Sequence, residues 1–376
     1  TGSSIILGDI LADNLIINPS GRLTNKVAYE WSYASDSAPV NALYSSAYRV
    51  ISRANLVLDN LNKVPSTAYM KNIEAEAKAI RAIAHFDIVR AYAKIPTQSA
   101  DANSSLGIAY VTVFDPSIKP QRDATVEITY NKIIKDLEDA LAGINANDGD
   151  IYRLNKASIL GYLSKIYLYK GDYDKTIEYG EKSLGLSQSV GSLANFVKLW
   201  RDASNDGELF SIPNANTAQD QVSVGVAYNQ NVSGIRSESN VDFELFKSYK
   251  SSDIRKQAYI LTTNYVQTPY NHVIKYRSRE GSTVAGVVDI KMLRTADVLL
   301  GVAEAYMKST ASKNPARALT LLNNLRKERY SNYVSGTEQG QALLDAIYFE
   351  RRLEMAFEND RFWTIKRLGQ SVIRSD

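Results

Sequence analysis

The chain contains no cysteine, which excludes disulfides, thiolate metal sites and cysteine nucleophiles. Any exported form must therefore hold together without cross-links. Histidine is nearly absent too: only His85 and His272 occur in 376 residues, so a zinc site or a Ser-His-Asp relay would lack its usual imidazoles. No uninterrupted apolar run approaches the roughly 18 residues that a membrane-spanning helix needs, and no basic run forms a polybasic patch. With 44 Lys+Arg against 41 Asp+Glu, the formal charge of +3 gives no preference for nucleic acid. The opening "TGSSIILGDI" has neither the charged nor the apolar region of a secretory signal.

What the chain has in quantity is tyrosine, 24 against 9 phenylalanines, each a flat apolar ring with a hydroxyl to satisfy. It also has helical periodicity. In "NALYSSAYRVISRANLVLDNL" Leu43, Ala47, Ile51 and Ala54 form one stripe, which Leu56 and Leu61 extend. "EAEAKAIRAIAHFDIVRAYAKIP" follows, apolar nearly all round; Ile80, Ala84, Ile88 and Ala91 form one stripe, and Ile83, Phe86 and Val89 cover much of the rest. Such a helix must be wrapped by neighbours, so the charge of Arg81 inside it has to be paired or to reach out. "DATVEITYNKIIKDLEDALAGI" adds a third helix with Thr125 as N-cap.

"LGYLSKIYLYKGDYDKTIEYGEKSL" places Leu160, Leu163, Ser164, Tyr167, Gly171, Tyr173, Thr176 and Ser183 at the spacing of a tetratricopeptide repeat (TPR). Gly171 makes the turn and Asp172 caps the second helix. Helix pairs resume at "TADVLLGVAEAYMK" and "NPARALTLLNNLRKERY", then run to the end of the chain. From about Ala203 to Asp289 the texture changes to Asn, Ser, Gly and Thr with short alternations. The expected fold is a single, mainly α domain. TPR-like helix pairs from residues 1–202 and 290–376 form a right-handed superhelical scaffold, and residues 203–289 are an inserted loop-rich region with short strands.

Three blocks resemble the SusD/RagB family of nutrient-binding lipoproteins on Bacteroidetes outer membranes. They are "NALYSSAYRVISRAN" with "EAEAKAIRAIAHFDIVRAYAKIP", then "MLRTADVLLGVAEAYMK", then "FERRLEMAFENDRFWTIKRLG". The resemblance implies a non-catalytic protein on the cell surface that binds a nutrient, most plausibly an oligosaccharide. It also implies a SusC-like TonB-dependent outer-membrane transporter as partner, and attachment to the membrane only through a lipid on an N-terminal cysteine outside this sequence. Compared with the family, the middle region is short and the end at "VIRSD" lacks a proline-rich tail. No cofactor, metal or nucleic acid is expected. The alternative is a TPR adaptor that binds a peptide or protein in a helical groove.

For a sugar, the chemistry needs flat aromatic faces rimmed by amides and hydroxyls. Trp31 and Tyr33 in "YEWSYASDS" qualify, as do Tyr228, Tyr265, Tyr270 and Asn271 in the variable region; His272 is a weaker candidate. Glu350 and Glu354 share a helix face as a glycosidase pair might. The alternating signs of Glu350, Arg351, Glu354, Glu358 and Arg361 instead favour an ion-pair network, with Arg81, Arg294 and Glu304 as further structural clamps.

Overall fold

The computed structural model describes residues 2–374 except 20, 22, 62, 145–148, 188, 215–223, 229–236, 266, 283 and 285. Helix α1 (Gly2–Ile10), strand β1 (Leu15–Ile17) and the single turn α2 (Lys26–Tyr29) lead into the long pair α3 (Ala38–Leu61) and α4 (Ala68–Tyr92). Then come α5 (Val126–Gly143) and the pair α6 (Lys156–Lys170) and α7 (Tyr173–Leu186). The middle of the chain holds α8 (Phe196–Leu199), β2 (Glu208–Ile212), α9 (Val224–Tyr228), β3 (Ser239–Val241), α10 (Phe243–Ser248), α11 (Ile254–Tyr259) and the hairpin β4 (Ile260–Tyr265) and β5 (Thr268–Val273). Strand β6 (Ile290–Arg294) returns to helices α12 (Thr295–Lys308), α13 (Pro315–Lys327), α14 (Gly340–Glu354) and α15 (Arg361–Arg367). No helix among the described residues is long and apolar enough to cross a membrane.

Local chemistry explains the helix ends. The Thr67 hydroxyl accepts from the Met70 N–H to start α4, Thr125 does the same for Ile128 in α5, and Asn155 and Ser158 form a reciprocal capping box on α6. Gly171 closes α6 with φ +84°, a conformation that disfavours any residue with a Cβ, and the Asp172 carboxylate accepts from the Lys175 N–H to open α7. Gly180 lets α12 come close: a Cβ there would lie 2.2 Å from Val302. The Ser164 hydroxyl donates to the Thr176 carbonyl across the α6–α7 crossing.

The buried faces differ in detail from the periodic reading. Leu43, Ala47, Ile51 and Ala54 are buried in α3, but Leu56 is exposed. In α4 the buried residues include Ala75, Ala79, Ala82, Ile83, Ala84, Phe86, Ile88 and Val89, while Ile80 faces out. Alanine makes the pattern hard to read because it is tolerated on both faces.

Two apolar cores result. One is built from α3–α7, the β2–β6 pair and α12–α15, and the other mainly from α1, α2, α8–α11, β1 and β3–β5. Ala91, Tyr92, Met292 and Phe362 pack against both. Residues 5–17, counted with the helical scaffold in the sequence reading, pack in the second core, where β1 pairs antiparallel with β3 through Leu15 opposite Val241. That sheet has the order β1-β3-β5-β4, and β2 pairs separately with β6.

His85 is a structural residue of this packed helix. It is fully buried in α4, its Nδ1 lies 2.9 Å from the Arg81 carbonyl, and its Nε2 accepts from the Val111 N–H at 3.0 Å. The ring stacks on Tyr110 at 4.0 Å. Burial pushes the imidazole from 6.5 down to about 3. A depressed histidine stabilises the fold above its unfolded pKa and loses that contribution as pH falls from 6.5 toward 3, by at most about 1.4 kcal/mol per pH unit. The slope of unfolding free energy between pH 6.5 and 4 should therefore be shallower in His85→Gln; an unchanged slope would contradict the neutral ring.

Candidate functional site

The six proposed ligand residues lie in three places. At the first, the chain leaves α2 through Trp31, a non-glycine residue with φ +56°, which turns the indole outward. Its Nε1 donates to the Leu11 carbonyl at 3.2 Å, and its ring meets Phe362 edge-on at 5.7 Å. Trp31 stays 48% exposed, so the ring is fixed without being hidden. It borders a cleft of about 470 Å³ with Gln98, Ser99, Phe362, Lys366, Gln370 and Ser371. A half-exposed aromatic ring, two amides and two hydroxyls are the components a pyranose requires. The Lys366 ammonium donates to the Arg90 and Ala93 carbonyls at 2.8 Å each, and burial lowers it to about 8. Tyr33 is 40% exposed two residues beyond Trp31, outside the cleft lining.

At the second place, Tyr270 and Asn271 are half-buried on β5, where the Asn271 side-chain oxygen accepts from the Thr262 hydroxyl at 2.7 Å. The side chain of Tyr265, on the same hairpin, lies outside the described residues. The third place is the core. Tyr228 is buried, lies parallel to Tyr276 at 6.1 Å and meets Phe357 at 6.0 Å, so its ring offers no face to a ligand. His272 is likewise fully buried, with Nδ1 2.8 Å from the Ser237 hydroxyl. Loop-like composition does not reveal which way a ring points, and these two point inward.

The charged residues of the C-terminal block are almost all enclosed. Glu354 accepts from both arms of Arg329 at 2.8 and 2.9 Å and from Arg294 at 2.8 Å, with Arg255 at 3.4 Å. Glu350 takes Arg255 at 2.6 Å and Arg326 at 2.9 Å. Glu358 joins Arg294 and Lys275, and burial lowers the Lys275 ammonium to about 7 as it sits 3.8 Å from the Tyr259 ring centre. Arg351 spans Asp297 and Asp360, Glu304 receives a two-pronged bond from Arg367, and Arg361 does the same to Asp13. Arg81 forks onto Asp136 at 2.7 and 2.8 Å. Glu350 and Glu354 are 1% and 0% exposed, so neither carboxylate can reach a glycosidic bond. The partners Arg255, Arg329 and Arg367 carried no periodic signal and were not singled out in the sequence.

Two further clefts frame the choice of site. One of about 640 Å³ is lined by Asp150, Tyr152, Asp202, Asn205, Glu208 and Asp289. Two of its carboxylates are occupied: Asp202 pairs with Lys291 and Arg279, and Asp289 with Arg279. No cluster suited to a metal ion occurs among the described residues. The other, about 670 Å³, is an apolar groove along α5–α7 with Leu141, Leu160, Tyr179 and Leu186.

A family model described as starch-binding and associating with the outer membrane matches residues 7–168, and the SusD family model matches residues 198–372. SusD-like protein P38 of Formosa agariphila is 23% identical over 97% of this chain and 79% of its own length. A SusD superfamily protein from Bacteroides vulgatus superposes with a TM-score of 0.87 at 20% identity, covering 100% of this chain and 85% of that one. A laminarin-binding SusD-like protein superposes at 0.75 with 20% identity, covering 98% and 86%.

Proposed function

Because the chain belongs to the SusD/RagB-like family, we propose that it captures an oligosaccharide without cleaving it and passes it to a SusC-like TonB-dependent transporter. In this reading it is a lipoprotein exposed on the outer membrane, anchored through an N-terminal lipid. The observation that carries glycan capture is the Trp31 cleft, a half-exposed indole fixed by its own hydrogen bond beside Phe362, Gln98 and Gln370. The laminarin-binding neighbour supports the ligand class. The burial and pairing of Glu350 and Glu354 support the absence of catalysis.

Trp31→Ala should weaken binding to the preferred oligosaccharide by roughly 10–100-fold, as expected for losing about 1.4–2.8 kcal/mol of stacking area. Calorimetric titration checks this. Tyr33→Ala, outside the cleft lining, should bind within about 3-fold of the parent. Equal losses in both variants, or none in either, would remove the cleft from the account.

The apolar groove along α5–α7 favours a second reading, a TPR surface for a peptide. Lys182 lines the groove with its ammonium 5.6 Å from the Tyr179 ring centre. Saturable peptide binding, abolished by truncating the exposed groove residue in Leu186→Ala and indifferent to Trp31→Ala, would favour it.

A further inference from the structure

Of the residues that border the Trp31 cleft only Lys366 is charged, and none is an acid. The half-buried Lys366 ammonium has three hydrogens, and two of them go to the Arg90 and Ala93 carbonyls at the end of α4. Those carbonyls offset part of the positive charge, as the last carbonyls of a helix do. Among the described residues no carboxylate pairs with Lys366, and burial is the whole cause of its lowered proton affinity. One ammonium hydrogen and the rest of the charge therefore remain for a ligand.

Gln98 adds donors beside it. Its Oε1 accepts from the Ile95 N–H at 3.1 Å, which fixes the amide and leaves both hydrogens of Nε2 unused among the described residues. The end of α15 is held against this turn, because Gly369 has φ +65° and a Cβ there would lie 2.7 Å from the Gln98 carbonyl oxygen. The Ser99 hydroxyl donates to Asp101, and that carboxylate is already paired with Lys94. Behind the indole, the Arg374 guanidinium donates to the Ile10, Ala12 and Tyr29 carbonyls, on either side of the Leu11 carbonyl that holds Trp31 Nε1. It too pairs with no carboxylate among the described residues. Fixed donors and cations without an acid suit a group that only accepts and carries negative charge. The hydroxyls of a neutral pyranose donate as well as accept, and they bring no counter-charge.

We propose that the sugar seated on Trp31 is acidic, with a carboxylate or sulfate that accepts from the Lys366 ammonium and the Gln98 amide while the ring covers the indole. This rests on the reading of the cleft as the glycan site and narrows its ligand to one class.

The test is calorimetric titration at neutral pH, below the value of about 8 at which the Lys366 ammonium gives up its proton. Acidic oligosaccharides are compared with neutral counterparts of the same ring: oligogalacturonides with their methyl esters, and sulfated galactan oligosaccharides with their desulfated forms. In at least one pair the acidic form should bind about 10-fold or more tightly, and the pair that responds tells carboxylate from sulfate. That ratio should fall toward one in Lys366→Met and persist in Lys366→Arg. If Lys366→Met does not fold, the unaltered chain titrated at low and high salt gives the same answer, because screening should remove most of the advantage of the acidic form. Neutral forms that bind as tightly as every acidic partner, or a ratio that survives both Lys366→Met and high salt, would overturn the acidic class and leave glycan capture standing. If no glycan of either kind binds, glycan capture itself falls, and the acidic class with it.

Discussion

Glu354→Ala is expected to cost at least about 3–5 kcal/mol of folding free energy, a large part of the 5–15 kcal/mol that ordinarily separates folded from unfolded. The carboxylate is fully enclosed and receives Arg329, Arg294 and Arg255. Without it Arg294 keeps Glu358, and Arg255 keeps Asp253 and Glu350. Among the described residues Arg329 then keeps the carbonyls of Val190, Gly191 and Glu328 and no carboxylate, so a buried guanidinium is left without a counter-charge. Burial alone would raise the Glu354 carboxyl, but Arg329 and Arg294 overcome it and hold the group well below the usual carboxylate range. A depressed acid stabilises the fold above its unfolded pKa, so this contribution is present at neutral pH and lost as pH falls through the acid range. Urea denaturation at pH 7 measures the effect. Glu354→Gln, which keeps the shape, should fall between parent and alanine variant; a loss below about 1 kcal/mol in Glu354→Ala would contradict the assigned role.

The second large effect is expected at Arg81, the charge inside the apolar helix α4. It donates to both oxygens of Asp136, to the Asn55 side-chain oxygen at 2.9 Å and to the Thr112 carbonyl at 3.3 Å. It therefore joins α3, α4, α5 and the segment before α5. Arg81→Ala leaves Asp136 with the Tyr110 hydroxyl at 2.5 Å as its main partner and should cost roughly 3–5 kcal/mol. Arg81→Lys keeps the charge but not the planar fork, and should recover only part of the loss. Glycan affinity of the folded fraction should be unchanged, because Arg81 is not part of the Trp31 cleft. Unaltered melting with lost binding would instead make Arg81 a ligand residue.

The sequence was most informative where local chemistry decides the outcome. Gly171, Asp172, Ser164 and Thr176 specify the α6–α7 pair through turn conformation, capping and close approach, all visible within about 25 residues. Arg81 was legible as a charge that required a partner, because its apolar surroundings are local. Asp136 was not, since that partner lies 55 residues away and only the tertiary fold brings it near. The same limit hid Arg255, Arg329 and Arg367. In the loop-rich middle, Tyr228 and His272 resembled surface residues by composition but belong to the second core, whereas Trp31 owes its outward position to a left-handed turn that its neighbours do not announce. Strand β1 was missed because three residues, Leu15 to Ile17, are too few for alternation to register.

The most direct test of glycan capture without cleavage is a calorimetric titration of the protein with an oligosaccharide panel, with the same mixtures assayed afterwards for new reducing ends. The account predicts saturable binding of at least one oligosaccharide, weakened in Trp31→Ala, and no increase in reducing ends. Reducing ends released in proportion to enzyme and abolished by replacing one carboxylate would contradict it, as would an absence of glycan binding beside saturable binding of a peptide.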